Sequence, residues 1–398
     1  MDTPSFPAPA DGPTPPPLPP VTPPPVITPP SHSRPLRSWG WIVTSIILAV
    51  LLCCAGLVIL AQFAVHSIGI THNFKSVSAR EVGPKLEECI LDQGSSRNND
   101  KIAVITVDGI ITSHTEDEGG NDMVEVIKAQ LDRAADDDHV KAVILKVDSP
   151  GGEVMASDQI YKAIEDFQND EADDHGKPAR KGKPVICSMG SLAASGGYYI
   201  SAPCRWIVAD ELTLTGSIGV IMHGYNYRGL MDKLGVVPMT FKSGKFKDML
   251  SPDRATNEIP PEEHAMVQAL IDETYQKFKG VVADGRGNAH ELNKKEGRAL
   301  ANNWADFADG RVVSGTQALN LGLVDQLGDF DDAVDRAETI THLDDATLIE
   351  YRERYDISNF LSMFGQNGQA HDIKLDLGTD LPKLRVGCLY FLWQMPEE

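Results

Sequence analysis

Ser195 stands in a run of small residues, Ala193-Ala194-Ser195-Gly196-Gly197, within the stretch MGSLAASGGYY that runs from Met189 to Tyr199. Small neighbours let a substrate backbone approach a hydroxyl closely. A helix starting just after Ser195 would offer free N–H groups and a partial positive charge. Such donors suit the oxyanion that forms when a hydroxyl attacks a carbonyl. Two more glycine-rich turns follow apolar segments, Asp148-Ser149-Pro150-Gly151-Gly152 and Thr215-Gly216-Ser217-Ile218-Gly219-Val220. Gly151 and Gly152 can supply a second N–H donor. The same small residues also serve tight helix–sheet packing or phosphate binding. A dinucleotide loop is excluded because no Gly-x-Gly-x-x-Gly opens the first strand–helix–strand unit, and a Walker A loop is absent.

A serine nucleophile needs a base. His175 and His223 are isolated in loop-like contexts, so lysine is the alternative. FKSGKFKDML, from Phe241 to Leu250, carries Lys242, Lys245 and Lys247 after what reads as an apolar strand. A lysine acts as a base only when neutral, which requires its pKa to fall well below the ordinary value of about 10.4. A lone lysine is usually a solvated charge, so residue types leave all three open. The eleven histidines form no His-Glu-x-x-His and the six cysteines no Cys-x-x-Cys, so neither a metal nor a cofactor is expected. Cys89, Cys187, Cys204 and Cys388 are scattered, which leaves room for one isolated disulfide.

Short apolar strands alternating with helices position these turns. Lys101 to Ile111, Val140 to Val147, Pro184 to Met189 and Arg205 to Val208 read as buried strands. Asp122 to Ala135 and Val154 to Phe167 read as helices, the latter with Ile160, Ile164 and Phe167 on one face. This alternation indicates an α/β fold with a covered, largely parallel sheet, whose sites lie at the carboxyl ends of the strands. The polar insert Asn169 to Lys183 reads as a solvated loop. Pro260 and Pro261 open a long amphipathic helix to about Val282, with Glu262 and Glu263 in its first turn. Gly310 to Gly328 reads as turn, short helix, turn, and Asp329 to Thr341 as another helix. An apolar stretch, Cys388 to Trp393, follows a polar linker.

The amino-terminal segment, 1–38, holds more than half of the 26 prolines. Proline fixes φ and removes a donor, so a disordered, partly polyproline-II arm is expected, most simply a spacer. Trp39 and Trp41 then precede an almost uncharged run to Val65. Its length suits a bilayer span of roughly 20 apolar residues, with the tryptophans as interfacial anchors. Arg34 and Arg37 on one side balance Lys75 and Arg80 on the other, so charge does not orient it. The net charge of -21 repels phosphates and excludes nucleic acid as an expected partner. The expected organisation is 1–38 tail, 39–65 transmembrane anchor, 66–363 α/β domain, and 364–398 linker and carboxyl-terminal tail.

Four ordered blocks carry a resemblance: DSPGG at 148–152, MGSLAASGGYYISAP at 189–203, TGSIGV at 215–220 and SGKFKDMLSP at 243–252. GRVVSGTQALNLGLVDQLG at 310–328 extends it. Together they resemble the signal peptide peptidase A family, serine/lysine proteases of the Clp protease–crotonase fold. The resemblance implies Ser195 as nucleophile, Lys247 as general base, Ser217 as the serine that orients that lysine, and Gly152 and Gly196 as oxyanion donors. It implies the short form of the family: a ring- or dome-shaped homo-oligomer in which serine and lysine can come from adjacent subunits. It also implies a single-pass protein of the cytoplasmic (inner) membrane with its catalytic domain outside the cytoplasm, cutting remnant signal peptides and other hydrophobic unfolded peptides. The tail resembles a segment that occupies the substrate groove in short members, and self-trimming is the expectation that follows. A crotonase-like acyl-CoA enzyme and a non-catalytic membrane scaffold are the competing readings; neither needs Ser195, Ser217 and Lys247 together.

Overall fold

The computed structural model describes Leu48 and residues 83–96, 99–114, 121–169, 181–353 and 389–392. The proline-rich tail, the apolar run apart from Leu48, most of the polar insert and the linker before the final strand lie outside the described residues. Among the described residues, no helix is long and apolar enough to cross a membrane.

The strands are β1 (Leu86–Asp92), β2 (Lys101–Asp108), β3 (Val140–Ser149), β4 (Gly151–Glu153), β5 (Val185–Ala194), β6 (Trp206–Ala209), β7 (Leu214–Gly216), β8 (Val312–Ser314), β9 (Gln326–Leu327), β10 (Thr347–Glu353) and β11 (Tyr390–Leu392). The helices are α1 (Met123–Asp136), α2 (Val154–Gln168), α3 (Gly196–Ser201), α4 (Arg228–Leu234), α5 (Pro261–Leu292), α6 (Gly315–Leu321) and α7 (Phe330–Thr341). The main sheet runs β1-β10-β2-β3-β5-β6-β9. All its neighbours are parallel except the β1 edge, and β7 joins the end of β5 in parallel before pairing antiparallel with β8. This is a mixed α/β fold with a large, parallel-rich sheet.

Both faces of the sheet are covered, which is why its central strands are nearly continuous runs of Val, Ile and Leu. Along β2, Ala103, Ile105 and Val107 enter one core with α1, α2, α3 and α5, while Ile102 and Val104 enter a second core under α7. Helix α1 turns Val124, Ile127, Leu131 and Ala134 inward, the three- and four-residue spacing of one helical face. Its N-cap, Asp122, accepts from the Glu125 N–H at 2.8 Å.

Helix α5 runs ten residues beyond the expected end at Val282. The apolar period fades there because the inward positions are Gly285 and Arg286. Gly285 seats the helix on α3's exit, where a Cβ would stand 2.5 Å from the Ala202 carbonyl oxygen. Arg286 is buried: it pairs with Asp325 and donates to the carbonyls of Ala202 (3.2 Å) and Cys204 (2.8 Å). The expected turn from Met189 is also corrected. Strand β5 continues to Ala194 because Leu192, Ala193 and Ala194 pair with Leu214, Thr215 and Gly216. No strand precedes the lysine-bearing segment; α4 and irregular chain lead into it.

Candidate active site

Ser195 is the junction between β5 and α3. Its backbone sits at φ 54°, ψ −114°, a conformation that costs a non-glycine residue energy and persists only where the surroundings enforce it. They do so from both sides: the Ser195 N–H donates to the Gly216 carbonyl at 2.9 Å, and its own carbonyl accepts from Tyr199 N–H at 2.8 Å. The residue is 1% exposed. A sharp strand-to-helix turn thus sets one serine in the wall of a packed scaffold.

The Gly151/Gly152 choice left open by the sequence narrows here. The Gly151 N–H already donates to Ser149 Oγ at 3.0 Å. On one side of β4, Glu153 N–H bonds the Ile111 carbonyl (2.8 Å) and Ile111 N–H the Gly151 carbonyl (2.9 Å). The Gly152 N–H therefore faces the other side, where β11 lies antiparallel, Phe391 opposite Gly152. Val154 N–H donates to the Leu389 carbonyl at 3.3 Å. Bond-exchanging pairs recur every second residue in such a ladder, so Gly152 and Phe391 form the next one. A Cβ on Gly151, at φ +95°, would stand 2.1 Å from the Phe391 carbonyl oxygen and 2.5 Å from the Gly196 nitrogen. The Phe391 carbonyl thus lies beside both amides, and only glycine leaves room for it.

Strand β11 occupies a groove between β4 and Ile221, which exchanges two backbone hydrogen bonds with Tyr390 (3.0 and 3.1 Å). The Phe391 ring stacks on Tyr199 (centroids 4.8 Å) and packs on Phe278 (4.7 Å), while Tyr161 meets Tyr199 edge-on at 5.4 Å. This aromatic cage was not foreseen; its members come from α2, α3, α5 and β11, and no local pattern links them. Leu392 instead lines a cleft of about 520 Å³ with Ser195, Ser217, Ile221, Asp272 and Tyr275. Ser217 is buried, at φ 49°, and its N–H donates to the Arg311 carbonyl at 2.8 Å.

Beneath the cage, Asp158 accepts from Tyr199 Oη (2.9 Å), Lys277 Nζ (2.6 Å) and Lys162 Nζ (2.9 Å). Burial pushes its carboxyl up, but these donors outweigh burial and hold it below the usual carboxylate range. A depressed carboxylate stabilises the fold fully above its unfolded pKa, about 4, and loses that contribution as pH falls through the lower folded value. Asp158→Asn is therefore expected to lower the melting temperature at pH 7, with the gap to wild type closing as the pH falls below about 4. A gap that stays constant with pH would assign the loss to packing.

Ser195, Ser217, Gly152 and Gly196 are brought together; Lys247 is not. It lies in an exposed turn, its N–H bonded to the Gly244 carbonyl at 3.2 Å, and it is not among the cleft's lining residues. Its neighbours are engaged: Lys242 pairs with Asp248 (2.7 Å) and Lys245 with Glu262 (3.8 Å). Among the described residues Lys247 makes no ion pair, which separates it from the two lysines the sequence could not distinguish. The surrounding arm exposes Leu230, Leu234, Val237, Met239 and Phe241, the last 90% accessible. An apolar surface of that extent marks an interaction site. Cys89, Cys187 and Cys204 are free thiols.

A strained serine next to the glycines Gly152 and Gly196, and a groove that takes a chain as an antiparallel strand, suit a serine hydrolase of extended peptides. A sequence profile of peptidase family S49 matches residues 177–344. A protein of Enterococcus faecium named for signal peptide peptidase SppA is 37% identical over 286 residues, covering 70% of this chain and 73% of that one. The chain belongs to peptidase family S49 and is a serine protease. Protease 4 of Haemophilus influenzae is 34% identical, over 63% of this chain and 36% of its own length. The chloroplastic serine protease SPPA of Arabidopsis thaliana is 31% identical, over 61% and 32%.

Proposed function

We propose that this chain is a membrane-anchored endopeptidase of the Clp protease–crotonase fold that cuts remnant signal peptides and other hydrophobic, unfolded segments by a Ser195/Lys247 dyad. The observation that carries the reading is the placement of the Phe391 carbonyl beside Gly152 and Gly196, with Ser195 at the same junction. In this reading neutral Lys247 takes the Ser195 proton as the hydroxyl attacks the carbonyl, and Ser217 orients the lysine. The two amides hold the tetrahedral oxyanion. Protonated Lys247 then gives its proton to the leaving amine, and water releases the acyl group with the same lysine as base.

Lys247 comes from a neighbouring copy. Its absence from the cleft of its own chain and the apolar arm around it both favour a ring-like homo-oligomer whose contacts bury the arm. The 39–65 run anchors the assembly, with the catalytic domain outside the cytoplasm, where released signal peptides concentrate at the bilayer.

The test is hydrolysis of a fluorogenic apolar peptide by the detergent-solubilised chain from pH 6 to 10. Activity should rise through a basic pKa and vanish in Ser195→Ala and Lys247→Ala. Activity that survives Lys247→Ala while Ser195→Ala is dead would remove the lysine from the mechanism. Self-trimming follows from the same placement, with Phe391–Leu392 as the bond presented to Ser195. Intact mass should show wild type ending at Phe391 and Ser195→Ala retaining Leu392 and beyond. An identical carboxyl terminus in both rejects it.

A further inference from the structure

Ser157, on the first turn of α2, is fully buried. Its Oγ has no hydrogen-bond partner among the described residues. It lies beside the glycines of the oxyanion site: a Cβ on Gly196 would stand 2.7 Å from Ser157 Oγ, 3.0 Å from the Gly152 nitrogen and 3.1 Å from the Gly151 Cα. One point beside the scissile carbonyl's seat therefore touches the hydroxyl and both glycines of β4. A buried hydroxyl left unpaired costs the fold about 1–3 kcal/mol. Alanine, nearly the same size, would serve packing alone at least as well.

The geometry points to Ser157 as a positioning residue for hydrolysis, a free dipole that turns its O–H toward the charge developing on the oxygen held by Gly152 and Gly196. Because the hydroxyl has no competing partner, it rotates without breaking a bond. Because the hydroxyl is fully buried, an oriented dipole there acts on the transition state more strongly than it would in solvent. The ground-state carbonyl carries little charge, so the effect appears in turnover and not in substrate binding. This rests on the oxyanion assignment made above.

The experiment compares wild type, Ser157→Ala, Ser157→Cys and Ser195→Ala, all as full chains. It reads kcat and KM on the fluorogenic peptide, melting temperature, affinity for a peptide boronate that mimics the tetrahedral state, and affinity for the uncleaved peptide measured in a Ser195→Ala background. Ser157→Ala is expected to lower kcat about tenfold, somewhat less than loss of a direct oxyanion donor. KM and uncleaved-peptide affinity should hold, boronate affinity should fall by the same factor, and the melting temperature should stay or rise. Ser157→Cys, with a weak S–H donor, should fall between, and carries the comparison alone should Ser157→Ala fail to assemble. Wild-type kcat in Ser157→Ala overturns the inference, as does a loss of kcat that tracks melting temperature or uncleaved-peptide affinity. Hydrolysis surviving in Ser195→Ala would instead overturn the underlying reading of the site.

Discussion

A one-to-one mixture of Ser195→Ala and Lys247→Ala subunits is expected to recover about a quarter of wild-type activity, although each variant alone loses about 10⁴-fold or more. In a closed head-to-tail ring, each site takes its serine from one copy and its lysine from the next. With random assembly, half the sites have an intact serine and half of those meet an intact lysine. The recovery requires real subunit exchange, so mixed rings must be verified by mass or by differential tags. Were the dyad within one chain, every mixed site would still lack one member and recovery would be zero. The experiment thus reads the geometry of the site directly. It bears on the observation that the Ser195 cleft is built without Lys247, while Lys242 and Lys245 are held by acids.

Asp325→Ala is expected to destabilise the fold by about 3–5 kcal/mol, the largest single effect on stability anticipated here. Asp325 accepts from the Ile207 N–H at 2.8 Å as well as from Arg286. Its loss strands a guanidinium that is almost fully buried and whose Nε is already without a partner among the described residues. The double variant Arg286→Met/Asp325→Leu should recover much of that loss, because an apolar pair of similar volume needs no desolvation of charge. Chemical denaturation of the three proteins at one protein concentration gives the comparison. A double variant as unstable as Asp325→Ala would show that the carbonyls of Ala202 and Cys204 depend on Arg286 more than the pair depends on itself. The pair ties α5 to the exit of α3, so these variants also test whether the helix behind Ser195 needs a rigid floor.

Much of this was legible in the residues. Four of the parallel strands, β2, β3, β5 and β6, both flanking helices and α7 follow from buried runs and helical spacing, and the four motif blocks located Ser195, Ser217 and the glycine turns; β7, β9 and β10 did not show in the sequence. What escaped depended on distant pairing. Strand β1 has a largely exposed edge pattern and is defined by β10, more than 250 residues later in the chain. The end of β5 looked like a turn because Ala193 and Ala194 are small, yet β7 holds it extended. Helix α5 looked shorter because glycine and a buried arginine interrupt its apolar stripe. The cage around Phe391 and the unpaired Ser157 hydroxyl have no local signature at all, since each exists only where several elements converge.

The strand that fills the groove makes the enzyme its own competitor. A peptide arriving from outside meets a binding surface that is available only in the fraction of molecules whose β11 has left, and its apparent affinity falls by that fraction. If β11 is docked 99% of the time, an outside substrate binds about a hundredfold more weakly than to an open groove. Removing residues from the carboxyl end therefore changes a population before it changes any contact with substrate. The expected kinetic sign is latency: progress curves that begin slowly and steepen as trimmed tails, held by fewer contacts, leave the groove, with the lag abolished by prior trimming.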